Sequence, residues 1–196
     1  MYGMGAEIRI HSHESEAPMS PATSNDSLVP GLGVLEQTPI IIEKLVHLAS
    51  PDQLRWKPAQ DRWSISEILA HLVHVEGESF RDRIELMIKE KNPRIAEFDQ
   101  DAAYAAGKYS GGAPLEHLKV FCHERDRTLS FLRYMSPGAL PRTGVHAIHG
   151  TITVAQLMNE WAFHDLGHIR QIAELFRARA FFPVMGPLQT GYTIRP

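Results

Sequence analysis

From Val34 onward the chain alternates apolar and polar residues with a helical period. In VLEQTPIIIEKLVHLA (34–49) the apolar positions recur at three- and four-residue spacing, which marks a helix with one buried face. Pro39 interrupts this run and removes a backbone donor, so a kink or a late helix start is expected there. Residues 50–63, SPDQLRWKPAQDRW, read as a connector. Ser64 or Ser66 then offers an N-cap, and Glu67, three residues after Ser64, completes a capping box. The second helix is expected to reach about Lys91 and stop at Asn92-Pro93. A long connection over 93–113 ends in Ser110-Gly111-Gly112. The third helix is expected from Pro114 to about Met135, with its proline in the first turn. Residues 136–152 read as a loop without a hairpin signal. Thr153 caps a fourth helix that runs to about Ala180, and 181–196 form a tail or a short fifth helix.

Four long helices with two sizeable connections predict an all-α fold, a four-helix bundle, over residues 31–196. Residues 1–30 look different. HSHESEAPMSPATSNDSLVP (11–30) has no periodicity and reads as an extended or flexible N-terminal arm. AEIRI (6–10) alternates briefly and would make a short strand if something paired with it.

Composition narrows the function classes. The 196 residues are 43% hydrophobic and 22% charged, as in an ordinary globular domain. A net charge of −3 and the lack of a dense Lys/Arg run argue against nucleic acid or an anionic membrane as a partner. No apolar stretch reaches about 18 residues, and the N-terminus lacks the apolar core of a secretory signal. The single cysteine, Cys122, excludes an internal disulfide and suits a cytoplasmic protein; packing is its expected role. The unusual feature is the eleven histidines.

Helical wheels place several of them. On the fourth helix Val154, Leu157, Met158, Trp161, Ile169, Ile172 and Phe176 form the apolar stripe. His164 and His168, four residues apart, share one face at its edge. On the second helix His71 falls just outside the stripe, and His74 on the solvent-directed side. The edge of a stripe is where a bundle helix meets a crevice, so side chains there can converge and still be reached. Neutral imidazoles bind Zn, Ni, Fe or Cu, and three protein ligands leave a position open for water. Two histidines four apart also arise by chance in so histidine-rich a chain, and the spacing alone leaves both readings standing. Glu160, one turn before His164, and Gln171 could support such a site or face solvent.

Other templates fit worse. A zincin helix carries Glu after its first histidine, where this chain has Asp165. Glu-x-x-His pairs of di-iron bundles are missing. Phosphohydrolases built on a His-Asp pair need a further Asp downstream, and none follows residue 165. No G-x-S-x-G, P-loop or dinucleotide fingerprint occurs. The wheels also place Glu76, Arg83 and Asp165 near the middle of apolar stripes, where an isolated charge is very costly. Arg83 is therefore expected to bridge to Glu76, to Asp165 or to both; otherwise the helix bends and these residues reach solvent.

WSISEILAHLVHVEGESFRDRI (63–84) resembles the second-helix signature of the DinB-like superfamily, and TVAQLMNEWAFHDLGHIRQI (153–172) its closing signature. LEQTP (35–39) is similar to the family's first helix. The similarity spans Leu32 to Ala180. It implies a bundle of DinB/YfiT type, often a homodimer, that binds a divalent metal ion, usually zinc or nickel, through His71, His164 and His168. The family often has an acidic residue where this chain has His74, which leaves His74 as a rival ligand. Some relatives resemble transferases and isomerases that use the metal to activate a low-molecular-weight thiol. Others carry only a metal-dependent hydrolase label, and some respond to damage. The expectation is a metal-dependent enzyme acting on a small molecule, a thiol S-transferase or a hydrolase. Its rival is a non-catalytic metal-binding stress-response protein.

Overall fold

A computed structural model describes residues 29–196; the expected arm over 1–30 and the strand at 6–10 lie almost wholly outside the described residues. Four long helical rods build the body. They are α1 (Leu32–Leu48), α3 (Ile65–Val75) continued by α4 (Asp82–Lys89), α6 (Pro114–Arg133) and α7 (Val154–Phe176). Helix α1 packs on α6 and α7, and α3 packs mainly on α6 and to a lesser degree on α7. The first two rods therefore lie across the bundle from each other rather than side by side.

The ends follow local chemistry. Ser64–Glu67 and Thr153–Gln156 form reciprocal capping boxes at α3 and α7, and Ser50–Gln53 forms a third at the short α2 (Pro51–Arg55). Helix α1 has no side-chain cap. Gly31 precedes it at φ 73°, and a Cβ there would stand 2.6 Å from Ala162 Cβ, so only glycine lets α1 begin this close to α7.

Helix α1 passes through Pro39 without a late start. Proline cannot donate to the carbonyl four residues back, which is that of Leu35. Arg125 Nη1 donates to that oxygen instead, at 2.9 Å, so the bond that proline deletes is replaced by a side chain from α6.

Between α3 and α4, Glu76–Arg81 winds as one π-helical turn. A π turn absorbs one extra residue and rotates everything after it by about 100° relative to an uninterrupted α-helix. Ile84, not Arg83, takes the inward face below Glu76. This corrects the expected role of Arg83. It is only half-buried, and its Nη2 donates to the Ala96 carbonyl at 2.7 Å, reaching neither Glu76 nor Asp165.

The two connections hold more structure than expected. Residues 94–95 form strand β1, parallel to β2 (Thr143–His146), and β2 pairs antiparallel with β3 (Gly150–Thr153), Thr143 opposite Thr153. The segment 136–152, expected as loop, is thus largely a hairpin, and the bundle carries a three-stranded sheet in the order β1-β2-β3. Gly144 makes this possible: a Cβ would come within 2.5 Å of Ile95 Cδ1 and 3.0 Å of Met87 Cγ. Helix α5 (Gln100–Ala105) lies in the other connection. After α7 the chain continues as a second π turn and short 3-10 turns to Gly191.

Each rod reads apolar, polar, apolar along its length. One apolar cluster gathers Leu35, Phe80, Leu132 and Trp161; another gathers Ile42, Leu69, Phe121 and Ile172. Between them lies a buried polar layer of Thr38, Glu76, Arg125 and Asp165. Arg125, which the sequence reading did not single out, is the residue that pairs the buried acids. Its Nε and Nη2 donate to Glu76 at 2.7 and 2.8 Å, and its Nη1 and Nη2 donate to Asp165 at 2.6 and 3.2 Å. With Leu35, one guanidinium joins all four rods. No described helix is long and apolar enough to cross a membrane.

Candidate metal centre

His71 projects from α3, and His164 and His168 from successive turns of α7. His164 Nε2 stands 3.1 Å from His71 Nε2 and 3.2 Å from His168 Nε2. Among the described residues this is the one group of three or more His, Cys, Asp or Glu side chains close enough to share an ion. His74 points elsewhere: Nδ1 meets Tyr109 Oη at 2.9 Å, and Nε2 meets Glu78 at 2.9 Å.

His71 is almost fully buried, while His164 and His168 are half-exposed. Aromatic rings enclose His71. Trp63 and Tyr109 present edges to it at 5.0 and 5.3 Å between centroids, and Phe98 lies at 6.3 Å. Phe80 packs edge-on to His164 at 5.2 Å. The connection that carries Tyr104 and Tyr109 is pinned to the start of α3: Lys57 Nζ donates to Glu67 at 3.1 Å and to Tyr104 Oη at 2.7 Å, and Tyr104 stacks on Trp63. Phe98, Tyr104 and Tyr109 were not legible as part of the site, because the connection that carries them has no periodicity to place it.

Burial pushes His71 down to about 2, with the neighbouring His168, His164 and His74 acting in the same direction. Burial and His164 bring His168 to about 4, against opposing contributions from Gln171 and Asp165. Both rings are therefore neutral at neutral pH. His168 Nδ1 lies 3.1 Å from Gln171 Oε1, an acceptor, so Nδ1 carries the hydrogen and Nε2 presents a lone pair toward the other two rings.

The donor set fits a metal. With His168 Nε2 a lone pair, one hydrogen on His164 Nε2 would have to serve two acceptors, and a hydrogen on His71 instead sets two lone pairs face to face. A cation shared by three lone pairs removes the conflict. Nitrogens at about 2.05 Å from a tetrahedral zinc stand about 3.3 Å apart, close to the spacings here. His71 Nδ1 and His164 Nδ1 are buried without a hydrogen-bond partner, and His164 Nδ1 is 3.9 Å from Asp165 Oδ1, too far for one. Asp165 and Glu76 are committed to Arg125, and Glu160 is exposed. His164 and His168, with Gln171, line a cleft of about 850 Å³, while His71 lies behind them in the interior.

Comparison with known proteins agrees in fold and family. A curated protein of Oceanobacillus iheyensis named "Putative metal-dependent hydrolase" is 25% identical over 146 residues, covering 74% of this chain and 83% of its own. The solved structure of YfiT from Bacillus subtilis, titled "a probable metal-dependent hydrolase with an unusual four-helix bundle topology", superposes with a TM-score of 0.69. It covers 83% of this chain and 93% of its own at 22% identity, a likeness of fold. The sequence pattern of the DinB superfamily matches residues 35–172, from α1 through the last turns of α7. This chain belongs to the DinB superfamily.

Proposed function

We propose that His71, His164 and His168 hold one divalent metal ion, zinc or nickel, and that the protein is a metal-dependent enzyme of hydrolase type acting on a small molecule. The observation that carries this reading is the convergence of three Nε2 atoms within 3.1–3.2 Å steps, two of the three rings lining an open cleft. The relatives' hydrolase names support it. A divalent ion bound there would supply Lewis acidity to a nucleophile at its open position. The described residues add no fourth His, Cys, Asp or Glu to the group, and this favours catalysis over a closed structural site. His71, in its aromatic enclosure, fixes the inner side of the centre, and Gln171 holds His168 in the ligating tautomer. The rings of Phe80 and Phe98 make the inner wall of the centre apolar.

A second reading has its own support. Asp165, next to His164 in the chain, and Glu76 are both locked to Arg125, so neither stands ready to take a proton from water. A low-molecular-weight thiol needs less help, because its pKa lies much closer to neutrality. S-transfer from such a thiol is therefore the alternative reaction at the same open position.

The test is elemental analysis of protein purified without a histidine tag, followed by cobalt substitution. One equivalent of metal is expected, and His71→Ala, His164→Ala and His168→Ala should each lose it while His74→Ala keeps it. Absence of stoichiometric metal, with none regained from added zinc or nickel, overturns the proposal. A change in the cobalt spectrum on adding a low-molecular-weight thiol favours S-transfer; no change favours hydrolysis.

A further inference from the structure

The cleft beside His164 and His168 has a charge pattern that the metal centre does not explain. Its floor is a stripe of α7 and the turn that follows it, at three- and four-residue spacing: Phe163, Gly167, Arg170, Glu174 and Arg177. Its rim is Arg62, from the connector before α3, and the segment that carries Thr193 and Arg195. Four arginines thus face one carboxylate, in a chain whose net charge is −3.

That carboxylate is already in use. Glu174 pairs with Arg177 and accepts the backbone N–H of Arg195 at 2.9 Å. Arg62 Nη2 donates to the Pro196 carbonyl at 2.6 Å, so the segment 193–196 is strapped along the rim from both sides. The guanidinium groups of Arg170 and Arg195 have no hydrogen-bond or ion-pair partner among the described residues. Guanidinium presents a planar fork of donors that matches carboxylate and phosphate oxygens. A concave site lined by one sign of charge also concentrates the opposite ion.

We propose that this arginine-lined cleft is the recognition subsite for an anionic group of the substrate, a carboxylate or a phosphate, with Arg170 and Arg195 as its direct contacts. The proposal rests on the metal reading only for direction, since it turns the rest of the substrate toward the three histidines. Gly167 sets the depth of the cleft. A Cβ there meets nothing within 4 Å, so a larger side chain enters the cleft and not the core.

The experiment is titration calorimetry of the full chain, metal-free and zinc-loaded, with inorganic phosphate and succinate as separate probes. At least one probe is expected to bind in both states, and the one that binds identifies the oxyanion. Arg170→Gln with Arg195→Gln should weaken it at least tenfold, as should Gly167→Leu. Lys89→Gln with Arg94→Gln, an equal loss of charge on exposed residues outside the cleft, should change it less than twofold. All these positions are exposed or open, and a thermal melt checks that each variant folds. Binding of neither probe, an unaffected Arg170/Arg195 double variant, or equal weakening by the control pair overturns the proposal. An anion that binds only to zinc-loaded protein and ignores the arginine variants overturns the subsite while supporting the metal. Arginine-dependent binding to a protein that takes up no metal does the reverse.

Discussion

Replacing Arg125 with methionine tests the physical account of the bundle at its most concentrated point. The substitution preserves much of the side chain's volume but removes five hydrogen bonds and strands two carboxylates, Glu76 and Asp165, in an interior where neither is exposed. Breaking one buried ion pair by deleting a partner costs about 3–5 kcal/mol. Two acids share this partner, so the upper part of that range is expected. For a chain of this size each kcal/mol moves the melting temperature by about 2–4 °C, which gives a fall of about 10–20 °C. Burial alone would raise Asp165, but the adjacent Arg125 outweighs it and holds this carboxyl below its usual value. A depressed folded value stabilises the native protein above the unfolded pKa, and that contribution is lost as pH falls through the folded one. In the variant Asp165 loses the charge that holds it down and burial raises it, so the penalty is full at pH 7 and shrinks on acidification toward pH 4. Adding Glu76→Gln and Asp165→Asn to Arg125→Met should recover stability at pH 7. The assay is thermal unfolding followed by circular dichroism at pH 7 and pH 5, with Arg83→Met as the comparison. Arg83 loses one hydrogen bond, worth about 0.5–1.5 kcal/mol. An Arg125→Met protein that melts within about 2 °C of the parent at pH 7, or no more weakly than Arg83→Met, refutes the reasoning.

Three smaller perturbations check neighbouring claims by the same melts. Pro39→Ala should stabilise by less than about 1 kcal/mol, not the ~3 kcal/mol typical of a helix-interior proline, because Arg125 already satisfies the Leu35 carbonyl; a gain near 3 would show that it does not. Gly167→Ala, in open space on α7, should stabilise by about 0.5–1 kcal/mol from helix propensity alone, and a loss would mean that the position is more crowded than described. Glu67→Ala removes the α3 capping box and the Lys57 pairing together and should cost about 1–2 kcal/mol, with Tyr104 becoming more accessible to quenchers; unchanged stability and quenching would dissociate the cap from the aromatic enclosure of His71.

The apolar periods in the sequence were sufficient to locate four rods and most of their ends, because a bundle helix must bury one face and the spacing of that face is intrinsic to the chain. They also placed His164 and His168 on one face and His71 at the edge of another stripe, while the resemblance to the DinB-like superfamily was what joined the three as a ligand set; the tertiary structure brings these side chains together. His164 and His168 are neighbours by helical geometry alone. The approach of His71 is different, since it depends on α3 and α7 meeting at one height, and no local pattern encodes that. Arg83 shows where the wheel fails: one π turn shifted the phase, and the inward charge partner came from α6. Arg125 sits in a stripe with Leu118, Phe121, Thr128, Leu129 and Leu132, so a wheel of α6 would have flagged it. The sheet could not be read so readily, because its short strands gain stability only from pairing and from the close approach at Gly144. What the sequence determined by itself were the elements and the residue types at their faces, through short-range steric and hydrophobic rules. The tertiary structure alone decided which charge meets which, which carbonyl replaces a lost donor, and which rings enclose a histidine, because those energies depend on distances between segments far apart along the chain.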